Sequence, residues 1–331
     1  MSAAPTRRGL RVAVSLVATA GLLAFVVRHV GLARLGAALR AADPTWLAAA
    51  LALNLGIHVF VPAEKWRRLL GRLGHSLTFG ESARIWLGCQ PLRFTLPMKT
   101  GELFKVVYLE GVHHVPPAVG TWALVFDKLS NVVALMAFGA AGLLWAPLGS
   151  RVSLVIGLLL LPSPLLFANV LPARLREALG ALPGRLGRFA RELVDAMAAL
   201  PTAVRLKFFA VSLLQVLAEA MSFGVCLRAL GVHAPALDVL FRTPLVILLA
   251  NLPVTLSGIG TREIGMLWLF SAHGSPEQLA ATGLVLSFVG PVLLVLTGLP
   301  FVGGFFAGAF GSAAGAARTD GARVEAEAPR E

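Results

Sequence analysis

Charged residues are scarce in this chain of 331 residues, since Asp, Glu, Lys and Arg make up 14% of it, whereas soluble domains contain about 25%. Hydrophobic residues make up 57%, and the mean hydropathy is +0.79. A chain with so little polar surface is not expected to fold as a soluble globular domain. The composition therefore predicts an integral membrane protein.

Cysteine is also nearly absent, and the motifs of several enzyme classes are missing. Cys89 and Cys226 stand in apolar surroundings without metal-ligand spacing, so neither a disulfide framework nor a zinc site is indicated. No P-loop, HExxH, CxxC or GxSxG motif occurs. The stretch GIGTRE, which starts at Gly258, lacks the third glycine and the βαβ context of a dinucleotide site. We expect no catalytic residue, metal or cofactor, and no ATP-driven transport by this chain.

Long apolar stretches are abundant, and a helix needs about 20 such residues to cross the hydrocarbon core. Six of these stretches are uninterrupted, and we predict them as spans. Two others, Ala83–Leu109 and Leu237–Phe270, are interrupted by Pro, Gly and charge, so we predict broken, re-entrant hairpins there. The predicted fold is an all-α integral membrane protein with about six full transmembrane helices plus the two hairpins. The predicted spans are Leu10–Val27, Trp46–Val61, Val119–Trp145, Val152–Val170, Lys207–Leu230 and Gln278–Phe301.

The net charge of +12 does not indicate nucleic-acid binding, because Arg and Lys lie mainly between the apolar stretches. The positive-inside rule assigns three basic clusters to the cytoplasm, and with them the N-terminus of a plasma (inner) membrane protein. Arg28, Arg34 and Arg40 argue against this orientation, since they fall in a connection that it places outside. The first apolar run has no small-x-small cleavage site, so we expect it to remain as a span. The three clusters are 7–11, 65–72 and 174–205.

One transmembrane domain is expected over residues 1–310. Within it, residues 173–205 alternate leucines with basic and acidic residues at helical spacing, which predicts an amphipathic connector on the membrane surface. A basic segment that hugs anionic lipid and a regulatory element are both open for this connector. Residues 311–331 are small, polar and charged, and we predict a disordered tail.

The two interrupted stretches resemble each other. LPMKTGELFKVV, from Leu96, and LPVTLSGIGTREIGML, from Leu252, both run from Leu-Pro through a glycine-bearing turn to Glu and an apolar segment, so Glu102 corresponds to Glu263. Each lies between two spans, in repeat 1 over about 46–146 and repeat 2 over about 207–301. Counting crossings makes the hairpins enter from opposite faces, which predicts an inverted repeat of the kind that transporters use. Each turn should face a cavity, because irregular backbone is not tolerated against lipid.

Three sequence runs carry a resemblance to a known family. RIWLGCQPLRFTLPMKTGELFKVVYL, VFDKLSNVVAL and LPVTLSGIGTREIGML are similar to the transmembrane region of lysylphosphatidylglycerol synthases and its stand-alone flippase-like relatives. The similarity extends over nearly the whole chain, from about Leu10 to Phe310. In that family this region is implicated in moving lipids between leaflets, while a separate soluble C-terminal domain transfers the aminoacyl group. Since no such domain follows before Glu331, the resemblance implies a flippase or transporter rather than a synthase.

Ionisable residues near the bilayer centre are costly and need a partner or a purpose. Glu219 shares a helical face with Gln215 and Ser222, which fits either a cavity lining or a structural hydrogen bond. Asn54 and His58 form a similar stripe that ends at Lys65, for which interhelical hydrogen bonds and an interfacial lysine are the favoured interpretation. The resemblance adds Asp127 and Lys128. The candidate binding residues are Arg93, Lys99, Gly101, Glu102, Lys105, Asp127, Lys128, Glu219, Gly258, Gly260, Arg262 and Glu263.

The expected activity is movement of a phospholipid or a polyprenyl-phosphate lipid between leaflets, with Arg and Lys at the two turns holding the phosphate. At the second turn, Arg262 would bind the phosphate or pair internally, and Glu263 would balance it or carry a coupling proton. One alternative is an enzyme that modifies the lipid headgroup, with Glu102, Glu263 or Asp127 as base and a histidine at 113 or 114 nearby. Another is a scaffold for a separate transferase. Membrane lipids and such a transferase are the expected partners; nucleic acid is not.

Overall fold

The computed structural model describes residues 7–95, 101–145, 183–252 and 257–326, together with Glu177, Ala181 and Thr255. Every regular element in these residues is helical, as predicted. In chain order the helices are α1 (Arg7–Val30), α2 (Leu32–Arg40), α3 (Pro44–Arg72), α4 (Phe79–Gly88), α5 (Gln90–Thr95), α6 (Phe104–His113), α7 (Pro117–Trp145), α8 (Gly184–Ala198), α9 (Thr202–Ala229), α10 (Ala236–Asn251), α11 (Thr261–Leu269), α12 (Pro276–Leu284), a π-helical turn (Val285–Val289) and α13 (Gly290–Ala326).

Four of the described segments are long and apolar enough to cross a membrane: α3, α7, α9 and the run Pro276–Gly308, which combines α12, the π turn and most of α13. The pair α1 and α2 makes a fifth if its two parts, bent by 82° at Gly31, form one broken span. These five correspond to five of the predicted spans. The remaining one, Val152–Val170, lies outside the described residues, so the count of six stays a prediction.

Both interrupted stretches are broken helices. The first consists of α4, α5, a short 3₁₀ turn over 101–103 and α6, and the second consists of α10, a turn over 257–260 and α11. Each half of the chain thus has the predicted order of span, broken hairpin, span. The inverted relation between the halves stays a prediction.

Helix starts follow local sequence signals. Asp43 precedes Pro44, the first residue of α3, and its carboxylate accepts the backbone N–H of Thr45 at 2.8 Å. Thr78 and Glu81 form a capping box that begins α4, so the first broken segment starts at a defined residue.

Two apolar clusters form the core. One packs the ends of α9 and α10 against α1, α11 and α12, and the other packs α4, α6 and α7 against the end of α3 and Phe305 of α13. Gly88 allows the second contact, because a Cβ there would lie 2.8 Å from the Cβ of Phe305. The polar site described below takes wall residues from both clusters and therefore lies where they meet.

The structure describes part of the predicted connector and part of the predicted tail. Within the predicted connector, α8 covers Gly184–Ala198 and packs against α7, whereas α9 already begins at Thr202. Arg205, which we had placed in a surface cluster, is fully buried and donates from Nε to the Leu200 carbonyl at 2.8 Å, which fixes the corner between α8 and α9. α13 extends to Ala326 and so includes part of the segment from Gly311. The disordered tail over 311–331 stays a prediction.

Candidate functional site

A cavity of about 540 Å³ lies between the two broken segments. Ligand pockets in proteins measure about 300–1,000 Å³, so this cavity is large enough to hold a small ligand. Ionisable residues from both halves of the chain line this cavity, and apolar residues such as Leu135 and Phe223 complete its wall. The ionisable lining residues are His58, Arg93, Glu102, Asp127, Lys128, Glu219 and Arg262.

Glu102, in the first turn, is surrounded by cations. Lys128 of α7 lies 2.7 Å from one carboxylate oxygen and donates to the other at 2.8 Å. Arg93 of α5 approaches to 3.0 Å through Nε, and Lys105 of α6 lies 3.7 Å away. A single buried carboxylate therefore holds together three segments, and positive charge is in local excess around it.

Lys105 is buried beside Glu102 and is not among the residues that line the cavity. Its ammonium group sits 3.6 Å from the ring centre of Trp86 and 5.1 Å from that of Trp66, which is the geometry of a cation–π contact. Trp86 itself lines the cavity, whereas Lys105 does not.

A close approach of two backbone segments shapes the first turn. A Cβ on Gly101 would lie 2.2 Å from the carbonyl carbon of Leu92 in α5. Only glycine allows the turn to touch α5 there, and this contact sets the position of Glu102 relative to Arg93. Lys99, a predicted binding residue, lies outside the described residues.

Asp127 belongs to a second buried group, in which its partner is Lys65 rather than the adjacent lysine. The Lys65 ammonium lies 2.8 Å from Asp127 Oδ1, and both side chains are at most 3% exposed. It also donates to Ser130, Asn131 and Ser212 at 2.8–3.0 Å. This cluster joins α3, α7 and α9, and its Asp127 and Asn131 also line the cavity. The interpretation of Lys65 as an interfacial lysine did not anticipate this buried pairing, although its position seven residues after His58 places it on the same polar face.

The second turn also depends on glycine. Gly258 has φ +82° and Gly260 has φ +91°, a region that L side chains rarely adopt. A Cβ on Gly258 would lie 2.5 Å from the Ala250 carbonyl oxygen, so the turn folds back onto the end of α10. Neither glycine is among the residues that line the cavity, and their contribution is to the shape of the turn.

Glu263 is fully buried at the start of α11 and accepts the backbone N–H of Gly260 at 2.6 Å. Its other oxygen has no hydrogen-bond partner among the residues that the structure describes. Glu102 and Glu263 correspond in sequence but differ in surroundings, because no cation lies within ion-pair distance of Glu263 in the described part of the chain.

Arg262 lines the cavity but is bonded internally, which is one of the two uses expected for it. It donates from Nη1 to the Leu286 carbonyl at 2.6 Å and lies 3.3 Å from Ser287 Oγ. In a π turn the carbonyl of Leu286 would accept the N–H of residue 291, which is a proline and has none. Arg262 therefore supplies the donor that Pro291 lacks.

A second proline on the cavity wall also leaves a helix carbonyl without its backbone donor, and a side chain again supplies the hydrogen bond. Pro62, inside α3, leaves the carbonyl of His58 without its helical donor, and Trp86 Nε1 donates to that oxygen at 2.6 Å. Both bonds tie a broken segment to a transmembrane helix at a point where proline has freed a carbonyl. Sequence reasoning missed both, although each proline was visible as a break in a helical stretch.

Of the remaining candidate residues, one lines the cavity and the others do not. Glu219 lines the cavity and accepts a hydrogen bond from Gln215 at 3.0 Å. Arg242 is not among the cavity-lining residues; it pairs with Asp238 at 3.2 Å and donates to the Leu269 carbonyl. The histidines at 113 and 114 end α6 and are not among the cavity-lining residues, so the structure does not bring them to the carboxylates. The described residues contain no group of three or more metal-ligating side chains.

The fold and the cavity define a multi-pass helical membrane protein whose polar site is bounded by two broken helices. A family model described as the lysylphosphatidylglycerol synthase TM region matches residues 10–315. The chain belongs to this family, as the resemblance had implied, which connects it with lipid modification or transport. Neither the curated proteins nor the solved structures that were compared with the chain gave a match.

Proposed function

We propose that this protein moves a phosphate-bearing lipid, a phospholipid or a polyprenyl phosphate, between the leaflets of the plasma (inner) membrane. The headgroup occupies the cavity, and Lys128 and Arg93 hold the phosphate. The N-terminus lies in the cytoplasm, on the side of the basic clusters, and the two halves act as inverted repeats.

The observation that carries the proposal is the arrangement around Glu102. Lys128, Arg93 and Lys105 share this one carboxylate, and the first two also line the cavity. The Lys128 side chain is 42% exposed, so its ammonium is accessible to a ligand while it contacts Glu102. A phosphate competes with the carboxylate for these donors, since both anions accept charge-assisted hydrogen bonds.

Both broken segments contribute to the same cavity, which supports transport. Arg262 and Ser257 line it from the second segment, opposite the residues of the first. A site shared by two broken segments can open to one side of the membrane or the other, as alternating access requires. Lipid transport also needs only reversible binding, and a partly exposed ion pair such as Lys128–Glu102 allows it.

The test is leaflet exchange of labelled lipids in proteoliposomes, with phosphatidylglycerol and phosphatidic acid compared with diacylglycerol. Lys128→Gln removes a charged donor worth about 1.5–3 kcal/mol, so exchange of the two phosphate lipids should fall by about 10- to 150-fold. Arg68→Gln is the matched control, because Arg68 is exposed and bonds only Glu64 among the described residues.

Two results would overturn the proposal. One is wild-type exchange no faster than in protein-free liposomes for every lipid tested, and the other is Lys128→Gln exchange equal to wild type. Mass spectrometry of the recovered lipids tests the enzyme alternative. A chemically altered headgroup would show that the protein modifies the lipid rather than moves it. A protein that neither moves nor alters lipid would fit the scaffold alternative.

A further inference from the structure

The three cations around Glu102 differ in how accessible they are. Lys128 and Arg93 are 42% and 20% exposed and line the cavity, whereas Lys105 is 1% exposed and does not. Lys105 is also the most distant, at 3.7 Å from the carboxylate. A ligand in the cavity can therefore reach two of the three cations and not the third.

Lys105 has unused bonding capacity. Its ammonium carries three donors, yet it makes no hydrogen bond within the described part of the chain. The ring of Trp86 stabilises the charge from one side, and the Trp86 N–H bond to the His58 carbonyl holds that ring in place. A shift of about 1 Å would bring the ammonium to a normal charge-assisted distance of about 2.8 Å from Glu102.

Binding of a phosphate has a consequence for Glu102. If Lys128 and Arg93 turn to a ligand, the carboxylate loses its two shortest ion pairs while it remains 4% exposed. A buried carboxylate without a partner is strongly unfavourable, and this penalty would oppose ligand binding. The site thus needs a cation that can take over Glu102 without meeting the ligand.

We propose that Lys105 is this reserve cation: when a lipid phosphate takes Lys128 and Arg93, Lys105 moves from the face of Trp86 to Glu102 and keeps the carboxylate paired. The proposal rests on the proposed function for its ligand. Lys105 is then a positioning residue, which sets the affinity for the phosphate without touching it.

The experiment measures binding of short-chain phosphatidic acid to the purified protein in detergent by calorimetry. Lys105→Met should weaken binding by about tenfold or more, because a phosphate that takes both Lys128 and Arg93 then leaves Glu102 unpaired. In a Glu102→Gln background the same substitution should change the affinity by less than about threefold, since no charge remains to be compensated. An equal loss in both backgrounds, or no loss in either, would overturn the proposal.

The wild-type protein offers a second readout if Lys105→Met does not fold. Departure of the ammonium from the ring should change the fluorescence of Trp86 on saturation with phosphatidic acid. The change should disappear in Trp86→Phe and persist in Trp46→Phe, where the replaced indole lies at an exposed position outside the cavity lining. Saturation without any fluorescence change would contradict the movement of Lys105.

The two proposals fail in different ways. If wild type binds phosphatidic acid with the expected dependence on Lys105 but does not exchange lipid between leaflets, the transport function falls and the reserve cation stands. If wild type exchanges lipid but the dependence on Lys105 is absent, the reserve cation falls alone. Absence of phosphatidic acid binding by wild type refutes the reserve cation, whatever the exchange assay gives.

Discussion

Replacing Arg262 by methionine tests whether this side chain substitutes for the missing N–H of Pro291. The guanidinium donates to the buried Leu286 carbonyl at 2.6 Å, and its second contact, to Ser287, is longer at 3.3 Å. A hydrogen bond from a charged group contributes about 1.5–3 kcal/mol, and the shorter contact carries most of it. Arg262→Met should therefore lower the free energy of unfolding by about 2 kcal/mol.

The decisive comparison is the same substitution in a Pro291→Ala background. Alanine restores a backbone N–H at position 291, which can bond the helical carbonyls itself. Arg262→Met should then cost less than about 1 kcal/mol, which gives a coupling energy of about 1–2 kcal/mol between the two positions. Effects of Arg262 on nearby carboxylates occur in both backgrounds and cancel in the cycle.

Unfolding by SDS in bicelles gives the four free energies. Arg68→Met serves as a control, since an exposed arginine paired with Glu64 should contribute less than about 1 kcal/mol in either background. Equal losses for Arg262→Met in the two backgrounds would refute the assignment, and Arg262 would then act only through its charge in the cavity.

Three further predictions concern the site and its supports. Lys65→Met breaks a buried ion pair and should lower the free energy of unfolding by about 3–5 kcal/mol. The double variant Lys65→Met with Asp127→Asn should recover most of that free energy, and absence of any recovery would contradict the pairing. Gly101→Ala forces a Cβ into the backbone of α5, so stability should fall by about 1–3 kcal/mol and lipid exchange by about tenfold or more; unchanged exchange would show that the close contact does not position the site. Thr78→Ala should cost about 0.5–2 kcal/mol at neutral pH, as loss of a helix cap does. The hydroxyl and backbone N–H of Thr78 lower the pKa of Glu81 from its ordinary value of 4.5. The ionised carboxylate therefore adds stability above that value, which is lost as the pH falls through the lower folded-state pKa. Unfolding midpoints of wild type and Thr78→Ala should accordingly converge in acid, and a constant difference down to that range would argue against the capping box.

The broken helices were predictable because their causes are local. Glycine and proline interrupt a hydrophobic stretch wherever they occur, and a carboxylate in such an interruption must be buried or line a cavity. The positions of Glu102 and Glu263 followed from this reasoning alone. The capping residues that begin α3 and α4 are likewise readable from a few neighbouring residues.

The partners of the buried charges were not predictable in the same way. Lys65 was expected at the membrane interface, and its buried partner was not predicted. Periodicity tells which face of a helix is polar but not which helix packs against that face. Lys65 and Asp127 are 62 positions apart in the chain and meet only because α3 and α7 are neighbours. Arg262 was expected to bind phosphate or an internal group, and the carbonyl that it bonds became identifiable only when α11 and the π turn were seen side by side.

Composition and local pattern alone determined that this chain resides in a membrane, that it is helical, where its helices break, and which family it resembles. These properties depend on hydrophobicity and on backbone preferences of residues within one or two turns of each other. The tertiary structure alone decided that the two broken segments share one cavity, that three cations share Glu102, and that Arg262 and Trp86 satisfy carbonyls freed by proline. Such contacts join residues distant in the chain, and their energies depend on distances that only the packing of whole helices determines.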